Sequence, residues 1–175
     1  MIDTSTVYYR AISEHYEGKF AKRTGLPYIK HIDDGLRVLD AIGASDNAKA
    51  AYCLHPIVQG DEDLAVFMDR LESGDELYVQ FVPQVLVLAV EYRNCANRYL
   101  SMHHGKDTRV PRLSPLADVN DMLIADKVQN YHDFMARHHG THPNSDTLYD
   151  YFHAWFDVLG VDELDPLLAV CEPAD

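Results

Sequence analysis

The stretch from Pro83 to His103, "PQVLVLAVEYRNCANRYLSMH", constrains the fold most. Proline suits the first turn of a helix, where its missing N–H costs nothing. The run Val85–Val90 that follows is apolar on every side, which predicts a long helix at the centre of a helical core. Six apolar residues are far too few to span a bilayer.

Helical spacing continues along most of the chain. It predicts a first helix over 5–22, broken by Gly25 and Pro27, and a second from Asp33 to Ile42. A third helix is expected over 47–54 and to close there, because Pro56 disfavours helical geometry at His55. Further helices are expected over 62–72, from Ser114-Pro115 to Met135, from an Asp146 cap onward, and over 162–171. No segment alternates as a strand would. The expectation is an all-α, single-domain helical bundle over residues 1–175, with the helices of 146–171 packed on the rest.

Charge narrows the function. With 28 acidic and 15 basic residues the net charge is -13, and no basic stripe offers a footprint for duplex nucleic acid. The N-terminus carries no charged-then-apolar leader. Three cysteines, Cys53, Cys95 and Cys171, form no CxxC pair, so a reducing, cytoplasmic setting is expected, with no membrane partner.

Ten histidines are the compositional oddity, and metal binding and proton transfer are their usual chemical uses. Three stretches stand out together: "KRTGLPYIKH" ending at His31, "AAYCLHPIVQ" with His55, and "MLIADKVQNYHDF" with Asp126 and Asn130. Two imidazoles and a carboxylate on largely apolar helices are a competent ligand set for Mn²⁺, Fe²⁺ or Zn²⁺ with open positions. Taken singly, each has a bland reading as a satisfied core histidine or a paired aspartate. The cluster His138, His139 and His142 reads as plain loop.

The order Lys/Arg-Thr-Gly-x-Pro-Tyr-Ile-x-His, then Ala-x-x-Leu-His, then Ala-Asp-Lys-Val-x-Asn resembles the hydrolase domain of RelA/SpoT-type proteins and small alarmone hydrolases. These belong to the HD superfamily of metal-dependent phosphohydrolases, and the similarity spans about residues 20–134. The resemblance implies an HD-type helical bundle holding Mn²⁺ and acting on a (p)ppGpp-like nucleotide. His31, His55 and Asp126 match three of the family's metal ligands. Lys22 and Arg23, Tyr28 and Asn130 match substrate-facing positions.

The chemical apparatus departs from that pattern. Pro56 stands where the family has its second-histidine aspartate, and Gln59 and Gly60 stand at its Glu-Asp pair. Neither an amide nor a glycine takes a proton at neutral pH. Asp61 or Glu62, in the run Asp61–Asp63, is the expected replacement base, although three acids also suit a helix N-terminus. Glu91, Asn94, Arg98 and Ser101 or Met102 recur at helical spacing, so polar groups project from one side of the long helix, and Arg93, Asn94, Asn97 and Arg98 are expected to line a ligand pocket or to knit helices together. Two functions follow. One is a divergent metal-dependent phosphohydrolase of a phosphorylated nucleotide; the other is an inactive nucleotide-binding, sequestering or protein-interaction module on the same fold.

Overall fold

The computed structural model describes residues 3–21, 25–102 and 111–171, with the backbone alone over 98–102. Eight α-helices lie among them: α1 (Val7–Tyr16), α2 (Ile29–Ala41), α3 (Asp46–Gln59), α4 (Asp61–Glu72), α5 (Pro83–Met102), α6 (Ala117–Arg137), α7 (Ser145–Leu159) and α8 (Leu164–Leu168). A 3-10 turn occupies Tyr78–Gln80. No strand occurs among the described residues; Phe20 and Pro27 form one isolated bridge. The chain is all-α, as expected, and none of the described helices is long and apolar enough to cross a membrane.

The bundle is organised around α3 and α6. Eight of the fourteen residues of α3 are buried, and α1, α2, α4, α5 and α6 all pack on it. Helix α6 carries ten buried residues and receives α2, α3, α5, α7 and α8. The hydrophobic run in α5 does not sit at the centre. Val85, Leu88, Ala89, Tyr92 and Ala96 form a buried stripe, while Val87 is 59% exposed and Val90 42%. Those buried positions recur at helical spacing along one side, so α5 is an outer helix with one core face.

Local chemistry fixes the two central helices. Ser45 caps α3, its hydroxyl oxygen accepting from the Ala48 amide at 3.0 Å and its O–H donating to Asp118 at 2.9 Å. The starts of α3 and α6 are thereby tied together. Asp61, Glu62 and Asp63 form the first turn of α4, the position where acids oppose the helix dipole.

Two expected boundaries move. Helix α1 stops at Tyr16, short of residue 22, and α3 runs through Pro56 to Gln59. The only donor lost to Pro56 is its own N–H, which would have bonded the Tyr52 carbonyl. That carbonyl instead accepts from His55 Nδ1 at 2.6 Å, so the helix continues with its acceptor satisfied.

Candidate metal centre

His31 lies in the first turn of α2, His55 near the end of α3, and Asp126 in the middle of α6. These three helices pack on one another, and the side chains meet where they do. His31 Nε2 is 3.3 Å from His55 Nε2 and 3.5 Å from Asp126 Oδ1, and His55 Nε2 is 4.0 Å from that same oxygen. Among the described residues this is the group of histidine, cysteine and acidic side chains that could hold a metal ion.

Hydrogen bonds behind the site decide which atoms face inward. A carbonyl oxygen can only accept, so His55 Nδ1 carries the hydrogen it gives to Tyr52, and the neutral ring presents a lone pair at Nε2. Burial, with His31 adding to it, pushes the His55 pKa down to about 3 and keeps that ring neutral. Gln129 does the same for His31. Its amide N–H donates to Asp133 at 2.7 Å, which turns its oxygen toward His31 Nδ1 at 2.5 Å. With Nδ1 engaged by Gln129, the His31 ring turns its Nε2 toward the site.

Asp126 is nearly enclosed. Its Oδ1 accepts from Asn130 at 2.9 Å, its Oδ2 from the buried Lys127 ammonium at 2.6 Å, and the Tyr92 phenol also donates to it. Burial by itself would raise this carboxyl, but Lys127 and the two histidines hold it well below the usual carboxylate range. Tyr52 closes the floor of the site, its ring centroid 4.6 Å from that of His55 and its hydroxyl 3.4 Å from His31 Nε2. It rests against Gly35 of α2, where a Cβ would overlap the Tyr52 ring and hydroxyl. Glycine here allows close backbone approach.

Three acceptor atoms facing one another repel unless a positive charge lies between them. A proton on one ring or a metal cation supplies it. The spacing suits an ion: the point equidistant from the three atoms lies about 2.1 Å from each, within the usual range for a first-row divalent ion bound to imidazole and carboxylate.

The site opens on a cavity of about 670 Å³ lined by Tyr16, Tyr28, Pro56, Gln59, Asn130 and Asp133, with the aromatic side chains of α6 and α7 beyond. That volume takes a ligand of nucleotide size. Of the sequence-predicted residues, His31, His55, Asp126, Tyr28 and Asn130 line this cavity together. Asn130 also holds Asp126.

The others are elsewhere. The Asp61 side chain is 91% exposed and pairs with Arg93, and Glu62 is exposed; neither lines the cavity. Arg93 and Asn97 both donate to the Gln59 carbonyl, at 3.1 and 3.0 Å, and exposed Asn94 bonds Glu91 at 3.4 Å. Arg93 and Asn97 thus tie α5 to the end of α3. Lys22 and Arg23 lie outside the described residues.

Residue type alone does not single out Lys127, Gln129, Asp133 or the turn residue His138, all of which line the cavity. The i, i+4 spacing of Gln129 and Asp133 was the available signal for the hydrogen-bonded pair. The three cysteines are free thiols. No family model, curated protein or solved structure matches the chain.

Proposed function

We propose that the cavity is the active site of a divalent-cation-dependent phosphohydrolase of HD type, acting on a phosphorylated nucleotide of the (p)ppGpp kind. The observation that carries the reading is the convergence of His31 Nε2, His55 Nε2 and Asp126 Oδ1, each aimed inward by a hydrogen bond or packing contact behind it. The resemblance in the three motif stretches supports it, as does the size of the cavity.

When bound at such a ligand set, a Mn²⁺-type ion polarises a phosphoryl oxygen and lowers the pKa of bound water. The chain's own residues then have defined tasks. Gln129 and the Tyr52 carbonyl fix the histidine tautomers, and Asn130 and Lys127 hold the carboxylate. Tyr28, half-exposed at the cavity rim with its ring 5.3 Å from that of Tyr16, offers a face for a nucleobase.

One observation favours a second reading. Asp61 is engaged by Arg93 away from the cavity, and Pro56 and Gln59 bring no basic group to it. The same pocket without a water-activating carboxylate is a binding module that holds the nucleotide without turning it over. The first experiment is metal content and Mn²⁺ affinity of the purified protein, with His31→Ala as control. Stoichiometric metal lost in the variant supports the hydrolase site, and a nucleotide screen with Asp126→Ala then reads turnover. Nucleotide binding with no metal at millimolar Mn²⁺ supports the binding module and rules out the metal centre.

A further inference from the structure

We infer that Lys127 makes this a site for a cation–anion pair, so that a divalent metal ion at His31, His55 and Asp126 binds together with a phosphate dianion and each tightens the other. The inference rests on the metal-site reading above and adds to it the chemistry of the partner ligand. The Lys127 side chain is 5% exposed, its ammonium 2.6 Å from Asp126 Oδ2 and lying over the rings of Trp155 (5.3 Å) and Tyr151 (5.7 Å). Enclosed in this way, its charge stays with Asp126.

The charge account follows from those contacts. Asp126 is the one carboxylate in the ligand group, and Lys127 already balances it; the two imidazoles add nothing when neutral. Pro56 and Gln59 are the residues of α3 that follow His55 along the cavity wall, and both are uncharged. Asp133, the other acid of the described lining, is held by Gln129 behind His31, on the Nδ1 side, away from the converging lone pairs. A divalent ion entering alone would leave net positive charge in a mostly buried place, offset only by the more distant Asp133 carboxylate, which is costly. A phosphate dianion arriving through the cavity supplies the missing negative charge. By linkage, whatever factor the anion adds to metal affinity, the metal adds to anion affinity.

The test is Mn²⁺ binding to the intact protein, followed by the electron paramagnetic resonance signal of free Mn²⁺. Methylphosphonate at about pH 8, where most of it is dianionic and it cannot be hydrolysed, is the probe, and methanesulfonate at the same pH is the monoanionic control. We expect methylphosphonate to tighten Mn²⁺ about tenfold or more and methanesulfonate to leave it nearly unchanged. Lys127→Met should tighten Mn²⁺ in the absence of any anion and lose most of the methylphosphonate effect. Because that buried variant can fail to fold, Pro56→Asp serves as a second probe: it adds a negative charge at the cavity wall and should act in the same direction. Equal Mn²⁺ affinity with and without methylphosphonate in the unmodified protein overturns the coupling. So does Mn²⁺ binding by Pro56→Asp but never by the unmodified protein. Absence of Mn²⁺ binding under every condition, in both proteins, overturns the metal reading itself.

Discussion

Gly35→Ala tests how tightly the site is built, because two ordinary rules disagree about it. Gly35 sits inside α2, where alanine is favoured over glycine by about 1 kcal/mol. Propensity alone therefore predicts a more stable protein. The new Cβ, however, would overlap Tyr52 Oη, Cε1 and Cζ, and Tyr52 is fully buried against His31 and His55 with no free side to move toward. Overpacking of this kind costs typically ~1–3 kcal/mol, and contact with an enclosed ring belongs at the upper end. The net expectation is a loss of about 2 kcal/mol, which for a domain of this size lowers Tm by roughly 4–8 °C.

The assay is thermal and urea unfolding of Gly35→Ala, alone and in a Tyr52→Leu background. In the double variant the ring is gone, so adding the alanine should be neutral or stabilising by about the propensity difference of ~1 kcal/mol. Because Tyr52 backs both histidines, the single variant should also weaken Mn²⁺ binding. A Gly35→Ala protein at least as stable as the original would refute the close packing of α2 on α3 on which the site geometry depends.

Other outcomes follow from the same contacts. In chelator, His55 stays neutral in the folded protein down to about pH 3, whereas the unfolded chain protonates it near its ordinary value. Stability should therefore fall as pH drops below about 6.5, with a slope approaching ~1.4 kcal/mol per pH unit from this group. Urea midpoints at pH 7, 6 and 5 read it, and a His55→Gln protein with the same slope would refute it. Asp126→Asn leaves the Lys127 ammonium buried without its counter-charge and should lose about 3–5 kcal/mol, measured by denaturant unfolding. Asp61→Ala removes an exposed partner of Arg93 and should change stability by less than about 0.5 kcal/mol. The same variant should keep full nucleotide affinity, since Asp61 does not line the cavity. Trp155 is the only tryptophan and stands 5.3 Å from Lys127 Nζ, so its fluorescence should respond to Mn²⁺ with methylphosphonate in the unmodified protein and not in His31→Ala.

The all-α architecture was legible because periodicity is local: buried positions such as Leu36 and Leu39 in α2, or Phe152 and Trp155 in α7, recur at the spacing of one helix face. Which helix would be central was not. The α5 run is apolar whichever side is inspected, and only its neighbours show that Val87 and Val90 face outward while the mixed sequence of α3 is enclosed. That His31, His55 and Asp126 would come together was legible, because metal chemistry restricts residue types so strongly that the three stand out in sequence as a candidate set. Lys127 and Gln129 were not, since lysine and glutamine are ordinary surface residues in sequence. Their roles come from burial, which α7 imposes on Lys127 through Tyr151 and Trp155.

Pro56 bears on the candidate site through both its charge and its backbone. Being uncharged, it brings no negative charge to the proposed cation site, where the RelA/SpoT-type resemblance implies an aspartate. As an imino acid, it withholds the N–H that would have occupied the Tyr52 carbonyl, and His55 Nδ1–H bonds there instead. The bond aims Nε2 at His31 and Asp126 with a fixed tautomer, so the uncharged proline also orients one of the proposed ligands. Pro56→Ala separates the two effects, for it restores the N–H without restoring charge. It should leave the helix intact yet weaken Mn²⁺ binding, because the restored N–H competes for the Tyr52 carbonyl and frees the imidazole to rotate. Pro56→Asp restores both, so its Mn²⁺ affinity should show the added charge outweighing the loosened ring. If Pro56→Ala binds Mn²⁺ as well as the original protein, the proline holds no ring in place and only its missing charge matters.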